Sequence, residues 1–402
     1  MKTEYDVVIV GGGMVGACLA CALADTDLQI AVLEVAEPQL SWPEESVDLR
    51  VSAISVASQR IFEAVGAWQG MLAARVSPYR EMHVWDSSGD GQIHFDAADI
   101  GAATMGHIVE NRVVRAALLA RLDELPNIHF ICPAALESWQ REDKGLRLML
   151  ADGVEIKTSL LVGADGGRSR VREQAGITCY GWPYGQKGVV AVVETELSNQ
   201  KTAWQRFLTT GPLAFLPLAD GRSSIVWSTT PTEADRLIAM DDEQFCIALA
   251  EALEGRLGMV TSTTKRAAFP LQLQHAEQYV MDRVALVGDA AHTIHPLAGQ
   301  GANLGFLDAA SLADVISDAA QQGRDVGSLK VLRRYERWRK GGNVSMMYAM
   351  DGFKRLFGNE ATPVQWMRNT GLTLTDKLSP VKYHLMLQAM GEEGDLPRLA
   401  QG

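Results

Sequence analysis

The sequence predicts an α/β protein: a parallel, Rossmann-like sheet that carries an inserted β-rich domain and a helical C-terminal region. Three observations predict it. The apolar run Tyr5–Val10 leads directly into Gly11, Gly13 and Gly16, in G-x-G-x-x-G spacing, and then into a helix rich in small residues. A second apolar run, Val284–Val287, leads into Gly288 and Asp289 about 275 residues later. Between the two, residues 187–229 alternate in the manner of strands, and beyond Asp289 the pattern turns mostly helical.

Residues 4–34 read as strand, helix, strand. The first glycine permits the tight turn, the second lets backbone approach a pyrophosphate, and the third lets helix pack on strand. The helix N-terminus adds unpaired N–H groups and a positive dipole end. Glu34 closes the second strand, 21 residues beyond Gly13, where an acid grips a ribose 2′-OH and repels a 2′-phosphate. With the second glycine motif, this arrangement suggests one long dinucleotide held by both ends of the chain. FAD has the length and the chemistry.

The Leu49–Ser55 stretch is expected to introduce a helix running to about Val65. Met82–Trp85 and Gln92–Phe95 flank a Ser-Ser-Gly-Asp-Gly turn and read as a hairpin. Asn111 is the expected N-cap of a helix through Leu122. Short strands follow at 128–131, 134–140, 146–151 and 154–157, then a separate buried strand, Leu160–Gly163, ending at Asp165-Gly166. In the 187–229 segment Phe207, Phe215 and Trp227 are candidate substrate-wall aromatics, with ordinary sheet core an equally open reading. Residues 231–254 read as helix. The expected division is 1–75, 100–180 and 275–340 for the nucleotide domain, 76–99 and 181–274 for the β-rich substrate domain, and 341–402 for the helical region.

Composition sets bounds. The 402 residues are 47% hydrophobic and 21% charged, as in a folded globular chain, and a net charge of -12 argues against nucleic acid as the main partner. The first apolar run is too short for a secretory signal, and no run nears the roughly 20 residues of a membrane span. A cytoplasmic chain with reduced thiols is expected. Cys18 and Cys21 form a C-x-x-C, but both fall inside the first helix among alanines and read as packing residues; no metal site is expected. From Arg324 onward the balance reverses to +5, and Met346, Met347, Met350, Phe353, Leu356 and Phe357 recur at near-helical spacing. A helical cap on the FAD domain is the first reading of that stretch; docking at an anionic membrane surface, the inner membrane, or at a partner is the second.

The ordered motifs resemble a known family. G-x-G-x-x-G, then Ala164-Asp165-Gly166 with Ser169 and Arg172, then Gly288-Asp289-Ala290-Ala291-His292 with Pro296 and Gly299-Gln300-Gly301, are similar to the single-component flavin aromatic hydroxylases of the para-hydroxybenzoate hydroxylase fold. The resemblance covers essentially the whole chain. It implies that Asp165 supports the FAD pyrophosphate and that Asp289 bonds the flavin-side ribose. Arg50 would reach the FAD phosphates, with Arg115 a weaker candidate. Pro296, Gly299, Gly301, Ala302 and Asn303 would form the flavin-ring loop, with no side-chain base assigned; His292 and His295 are expected to shape the loop. NAD(P)H, as co-substrate, would bind transiently, since no second G-x-G-x-x-G is present.

Arg50–Ser55, Gly106–Asn111 and Leu332–Arg337 resemble the ubiquinone-biosynthesis branch, and Met82–Asp86, Ser224–Ser228 and Gln388–Gly391 the 2-polyprenylphenol hydroxylases of the VisC type. Ser77–Arg80 and Trp366–Asn369 instead resemble the hydroxylases of the later methoxy-benzoquinol, so the ring position stays open. The resemblance implies reduction of FAD by NAD(P)H, addition of O2 at the flavin C4a position, and transfer of one oxygen from the hydroperoxide to a prenylated aromatic ring. Partners in a ubiquinone-biosynthesis complex are a further expectation, and a non-catalytic flavin-binding member of such a complex is the competing class.

Overall fold

A computed structural model describes residues 2–294 and 300–401. The nucleotide sheet is built on five adjacent parallel strands, in the order Val284–Leu286, Glu155–Gly163, Glu4–Val10, Ile30–Leu33 and Ile128–Ile131. Their registers bring Leu286, Gly163, Val10 and Leu33 to one edge of the sheet. The four turns that follow therefore open side by side: Gly288-Asp289, Asp165-Gly166, Gly11–Gly13 and Glu34. Open parallel sheets bind ligands at that edge, beyond the carboxyl ends of the strands.

The strands here are buried on both faces, so they read as continuous apolar runs. One face carries the Met14–Ala22 helix, and the Gln300–Gln321 helix packs against it through small residues. A Cβ on Gly305 would come within 2.7 Å of Val15, so glycine sets how closely the two helices approach.

The second sheet is mixed. It runs, in spatial order, His292–Thr293, Ala267–Ala276, Cys179–Thr195, Ser223–Thr229, Gly211–Pro217, Thr202–Leu208, Glu81–Asp86 and Gln92–Asp96. Helices Pro231–Ala239 and Asp242–Ala252 cover one face with a dense apolar core. The Leu329–Phe357 helix and the two after it, Thr362–Lys377 and Ser379–Met390, cover part of the other face. Leu329–Phe357 has 29 residues, about 43 Å at 1.5 Å per residue, and bridges the two sheets. Its Leu332 and Tyr335 lie in the nucleotide core, and its Met347 and Phe357 lie under the second sheet.

Several expected elements differ in detail. Residues 154–157 and 160–163 form one strand, Glu155–Gly163, whose first half alternates because one face is open and whose second half is buried on both faces. Residues 231–254 form two helices, because Met240 is extended and the Asp241 side chain caps the second by accepting from Gln244 N at 2.7 Å. Asn111 is not a cap. It lies in the first turn of Asn111–Asp123, and its Oδ1 accepts from Ser52 Oγ at 2.7 Å.

Candidate active site

The three glycines of the first motif have different reasons for being glycine. Gly11 has φ of +109°, and a Cβ there would lie 2.5 Å from Ala164 O. A Cβ on Gly16 would lie 2.0 Å from Gly11 O. Both positions are dictated by the protein's own packing. Gly13 has φ of -75° and nothing within 4 Å of where a Cβ would project. Its bareness serves a space outside the chain. Behind it the Met14–Ala22 helix begins with no side-chain cap, so the positive end of the helix faces that space.

Glu34 stands beside this turn. Its Oε2 accepts from Gly12 N at 3.0 Å and from Arg115 Nη2 at 2.9 Å, and Arg115 Nε donates to Gly12 O at 2.9 Å. Arg115 thus clamps the glycine turn to Glu34 rather than reaching out alone. Glu34 Oε1 is the solvent-facing oxygen and takes the exposed Val35 and Ala36 amides.

Asp165 uses its carboxylate locally. It accepts from Ser169 Oγ and from the amides of Arg170 at 2.7 Å and Val171 at 3.2 Å, starting the Arg170–Gln174 helix. Its turn supports Gly11 through the Ala164 carbonyl. Arg172, buried, joins the two later motifs: Nη2 donates to Gly167 O at 2.7 Å and Nη1 to Ala290 O at 2.8 Å. Ser169 and Arg172 were legible as motif letters, but this grip across 118 residues was not.

Asp289 is solvent-accessible yet crowded by the walls of the cleft, and that crowding raises its carboxyl pKa against the opposing pull of His292 and Arg50. Among the described residues no hydrogen bond engages its carboxylate. Arg50 is exposed, 6.0 Å from the Phe269 ring centroid, and no ion pair with a described residue holds its guanidinium. Gly288, with φ of +58°, packs against Val15 of the first helix, so the motifs 275 residues apart do meet.

Behind Asp289 lies a buried polar network. Asp308 Oδ2 faces His292 Nε2 at 2.5 Å and accepts from Gly288 N at 3.2 Å, while Oδ1 accepts from Arg339 Nε and Asn343 Nδ2, each at 3.0 Å. Burial would raise the Asp308 carboxyl, but His292 and Arg339 overcome it and hold it at about 2. His292 is therefore a strut under the Gly288-Asp289 turn. Asn303 is also a strut: Oδ1 accepts from Ser55 N at 3.0 Å and Nδ2 donates to Ala53 O at 2.7 Å, fastening the start of the long helix to the Val51–Ile54 strand. Gly301 and Ala302 are half-buried in the same first turn. Pro296 and Gly299, with His295, lie outside the described residues.

The candidate substrate aromatics divide. Trp204 pairs directly with Phe215, and Leu213 with Trp227, so these residues share one sheet face. Phe207, three positions beyond Trp204, faces the other side. Phe215 and Trp227 are corrected to core residues beneath the Pro231–Ala252 helices. Phe207 lines an apolar cavity of about 510 Å³ between the sheet and the last three helices, stacked at 3.8 Å on Phe357. Met82, Val84, Ile93 and Phe95 of the hairpin form one wall, and Met346, Met350 and Phe353 form the other. Met346 and Met350 also pack in the cluster containing Leu304 and Ile294, the last described residue before 295–299. The alternation of the hairpin carried the signal for its half of this cavity. Cys18 and Cys21 are buried, and burial pushes the Cys21 thiol up to about 12, so both remain protonated packing residues.

The site fits FAD: a bare Gly13, an uncapped helix, an acid at the second strand end, and, at the second motif, a carboxylate that takes no hydrogen bond from a described residue. Comparison with known proteins agrees. Residues 4–341 match the FAD binding domain family. The chain is 39% identical to the ubiquinone biosynthesis monooxygenase COQ6 of Xenopus tropicalis, over 95% of this chain and 92% of that one. It is also 39% identical to the 3-demethoxyubiquinol 3-hydroxylase of Escherichia coli K12, over 96% and 98%. In fold it is similar to the p-nitrophenol 4-monooxygenase PnpA of Pseudomonas putida, with a TM-score of 0.79 at 19% identity over 97% and 99% of the chains. FAD is the cofactor, and NAD(P)H and O2 are the co-substrates of an oxygenation of an aromatic ring. The chain therefore belongs to the FAD binding domain family and, within it, to the monooxygenases of ubiquinone biosynthesis.

Proposed function

We propose that the chain hydroxylates the ring of a polyprenylphenol, with the prenyl tail lying in the cavity between the second sheet and the C-terminal helices. That cavity carries the reading: it is almost wholly apolar, about 510 Å³, and its wall residues Met346 and Met350 also pack in the cluster that holds Ile294 and Leu304. A volume of that order suits a ligand that buries most of its surface. Arg368 and Gln205 are among its few polar lining residues.

In this reading Gly13 and the N-terminus of the first helix would hold the pyrophosphate, with Arg50 adding charge. Glu34 would accept from the adenosine ribose and Asp289 from the flavin-side ribose. Asp165 and Arg115 act indirectly, by holding the glycine turns. Gly301 and Ala302, on the helix start that Asn303 anchors, would lie beside the flavin ring, and the motif assigns Pro296 and Gly299 to the same loop. FAD supplies the oxygen-transfer chemistry when bound. The protein's own work is to orient the ring and exclude water, which the apolar walls favour.

The last three helices hold Trp366, Met367, Phe353 and Tyr348 exposed, in a region with a +5 balance. Phe353 and Met367 also line the cavity. Peripheral contact with an anionic membrane would let a tail pass from lipid into the cavity without crossing water. Among the described residues no helix is long and apolar enough to cross a membrane. A ubiquinone-biosynthesis complex would be a fitting partner.

A second reading, hydroxylation of the later polyprenyl-methoxy-benzoquinol, is favoured by Met367 and Arg368, which lie in the segment similar to that branch and line the same cavity. Mass spectrometry of quinone intermediates in cells lacking the gene separates the two. Accumulated polyprenylphenol, with ubiquinone restored by the wild-type chain but not by Asp289→Ala, supports the first. Accumulated demethoxy-quinone supports the second, and an unchanged profile refutes both.

A further inference from the structure

The spacing of residues along the sequence points to no metal, but the register of the second sheet assembles a ligand set. Glu81–Asp86 and Gln92–Asp96 are antiparallel, and His83 lies directly opposite His94. Glu81, two residues before His83, projects from the same face. The donor atoms of Glu81, His83 and His94 all lie within 4.8 Å of one another, and all three residues are half-buried. His94 Nε2 is 2.9 Å from Glu81 Oε2, the two imidazoles stack at 4.1 Å, and the Trp204 ring closes on His83 at 4.9 Å. The site is therefore walled on one side and open on another. Asp376, which accepts from His94 N at 3.0 Å, adds a second carboxylate beside it.

We propose that Glu81, His83 and His94 bind a divalent transition-metal ion, Zn²⁺ in preference to Ca²⁺ or Mg²⁺, on the reverse side of the cavity wall. Two imidazoles and one carboxylate form the nitrogen–oxygen set that Zn²⁺ takes, whereas Ca²⁺ and Mg²⁺ prefer all-oxygen cages. Tetrahedral Zn²⁺ at about 2.1 Å from each donor needs donors about 3.4 Å apart, which side-chain rotation within the present cluster supplies. The ligands alternate along both strands with Met82, Val84, Ile93 and Phe95, which line the cavity. A bound ion would pin the two strands in register and stiffen the wall that the substrate meets. The inference stands on the hairpin alone and does not depend on which ring is hydroxylated.

The test uses the full-length holoenzyme, purified without a polyhistidine tag and stripped with a chelator. ZnCl₂ is titrated in, with the metal counted by mass spectrometry and the thermal midpoint followed; Co²⁺ absorption reports nitrogen coordination. One ion per chain and a raised midpoint are expected. His83→Gln and His94→Gln should each weaken binding at least about tenfold, with the FAD content per chain unchanged as the check on folding. His384→Gln, at an exposed histidine paired with Glu393 and not among the three ligands, should bind as wild type. Lack of saturable binding, or undiminished binding in the His83/His94 double variant, overturns the proposal.

Discussion

Gly13 is where the sequence motif and the geometry can be separated by one methyl group. In Gly11→Ala the new Cβ meets the Ala164 carbonyl at 2.5 Å with φ at +109°, so the fold itself must yield. In Gly13→Ala the Cβ meets nothing within 4 Å, and φ of -75° suits alanine. Gly13→Ala is expected to keep or slightly raise the apoprotein's thermal midpoint while losing FAD, read as flavin absorbance per chain after desalting. Retained FAD would show that the open side of Gly13 does not face the ligand.

Asp308 makes the second residue-scale prediction. Its carboxyl is held at about 2, below the usual value of about 4. A depressed carboxyl stabilises the fold above about pH 4, and this contribution is lost as pH falls toward 2. Asp308→Asn leaves Arg339 buried without its charge partner, which costs about 3–5 kcal/mol at neutral pH. The variant's denaturation midpoint should also depend less on pH between 4 and 2. His275 has the opposite charge type and a higher window. Burial, with His292 adding to it, lowers its imidazole to about 4, so acid charges it only at the expense of the fold. Stability from this group is present above about pH 6.5 and lost as pH drops toward 4.

At the scale of elements, the last helices form both a lid and a wall. Arg368 fastens them: it pairs with Asp86, both almost fully buried, and donates to the carbonyls of Leu356, Phe357 and Asn359. Arg368→Ala should cost about 3–5 kcal/mol through the orphaned Asp86 and expose the 362–390 segment to limited proteolysis, with Arg368→Lys failing to restore the fork. Inside the cavity, Ala349→Phe adds bulk where a tail would lie. It should raise KM steeply for a long-chain substrate and little for a tailless phenol of the same ring; equal effects on both would place the tail elsewhere. The same elements show a limit of sequence reading. Phe207, Phe215 and Trp227 look alike in the chain because helices cover both faces of this sheet, which erases the polar alternation that would mark an outer face. Only register separates them.

For the whole molecule, charge and apolar exposure coincide. The first 323 residues carry -17 and the rest +5. Trp366, 69% exposed, lies in the basic part. Trp366→Glu should weaken cosedimentation with anionic liposomes on the order of tenfold, more at low salt than at high, as loss of apolar insertion and added repulsion require. Ile247→Glu, on the covering helices of the opposite sheet face, should have no effect. Equal binding by both variants would dismiss the surface.

Whatever is local could be read along the chain. A strand, a glycine turn and a helix need only adjacent residues, so the dinucleotide turn, Glu34, the Gly288-Asp289 turn and the hairpin were legible. So was the family, because three motifs in order leave few alternatives. The tertiary structure alone decided what depends on strand order and packing. It brought Gly11 and Gly288 to flank one strand, turned Asp165, Arg115 and Asn303 inward as supports, and set Arg172 across two motifs. It also hollowed a cavity between a hairpin near residue 90 and helices beyond residue 345. A sequence orders residues along one line, whereas side-chain direction and sheet register decide which distant residues share a face.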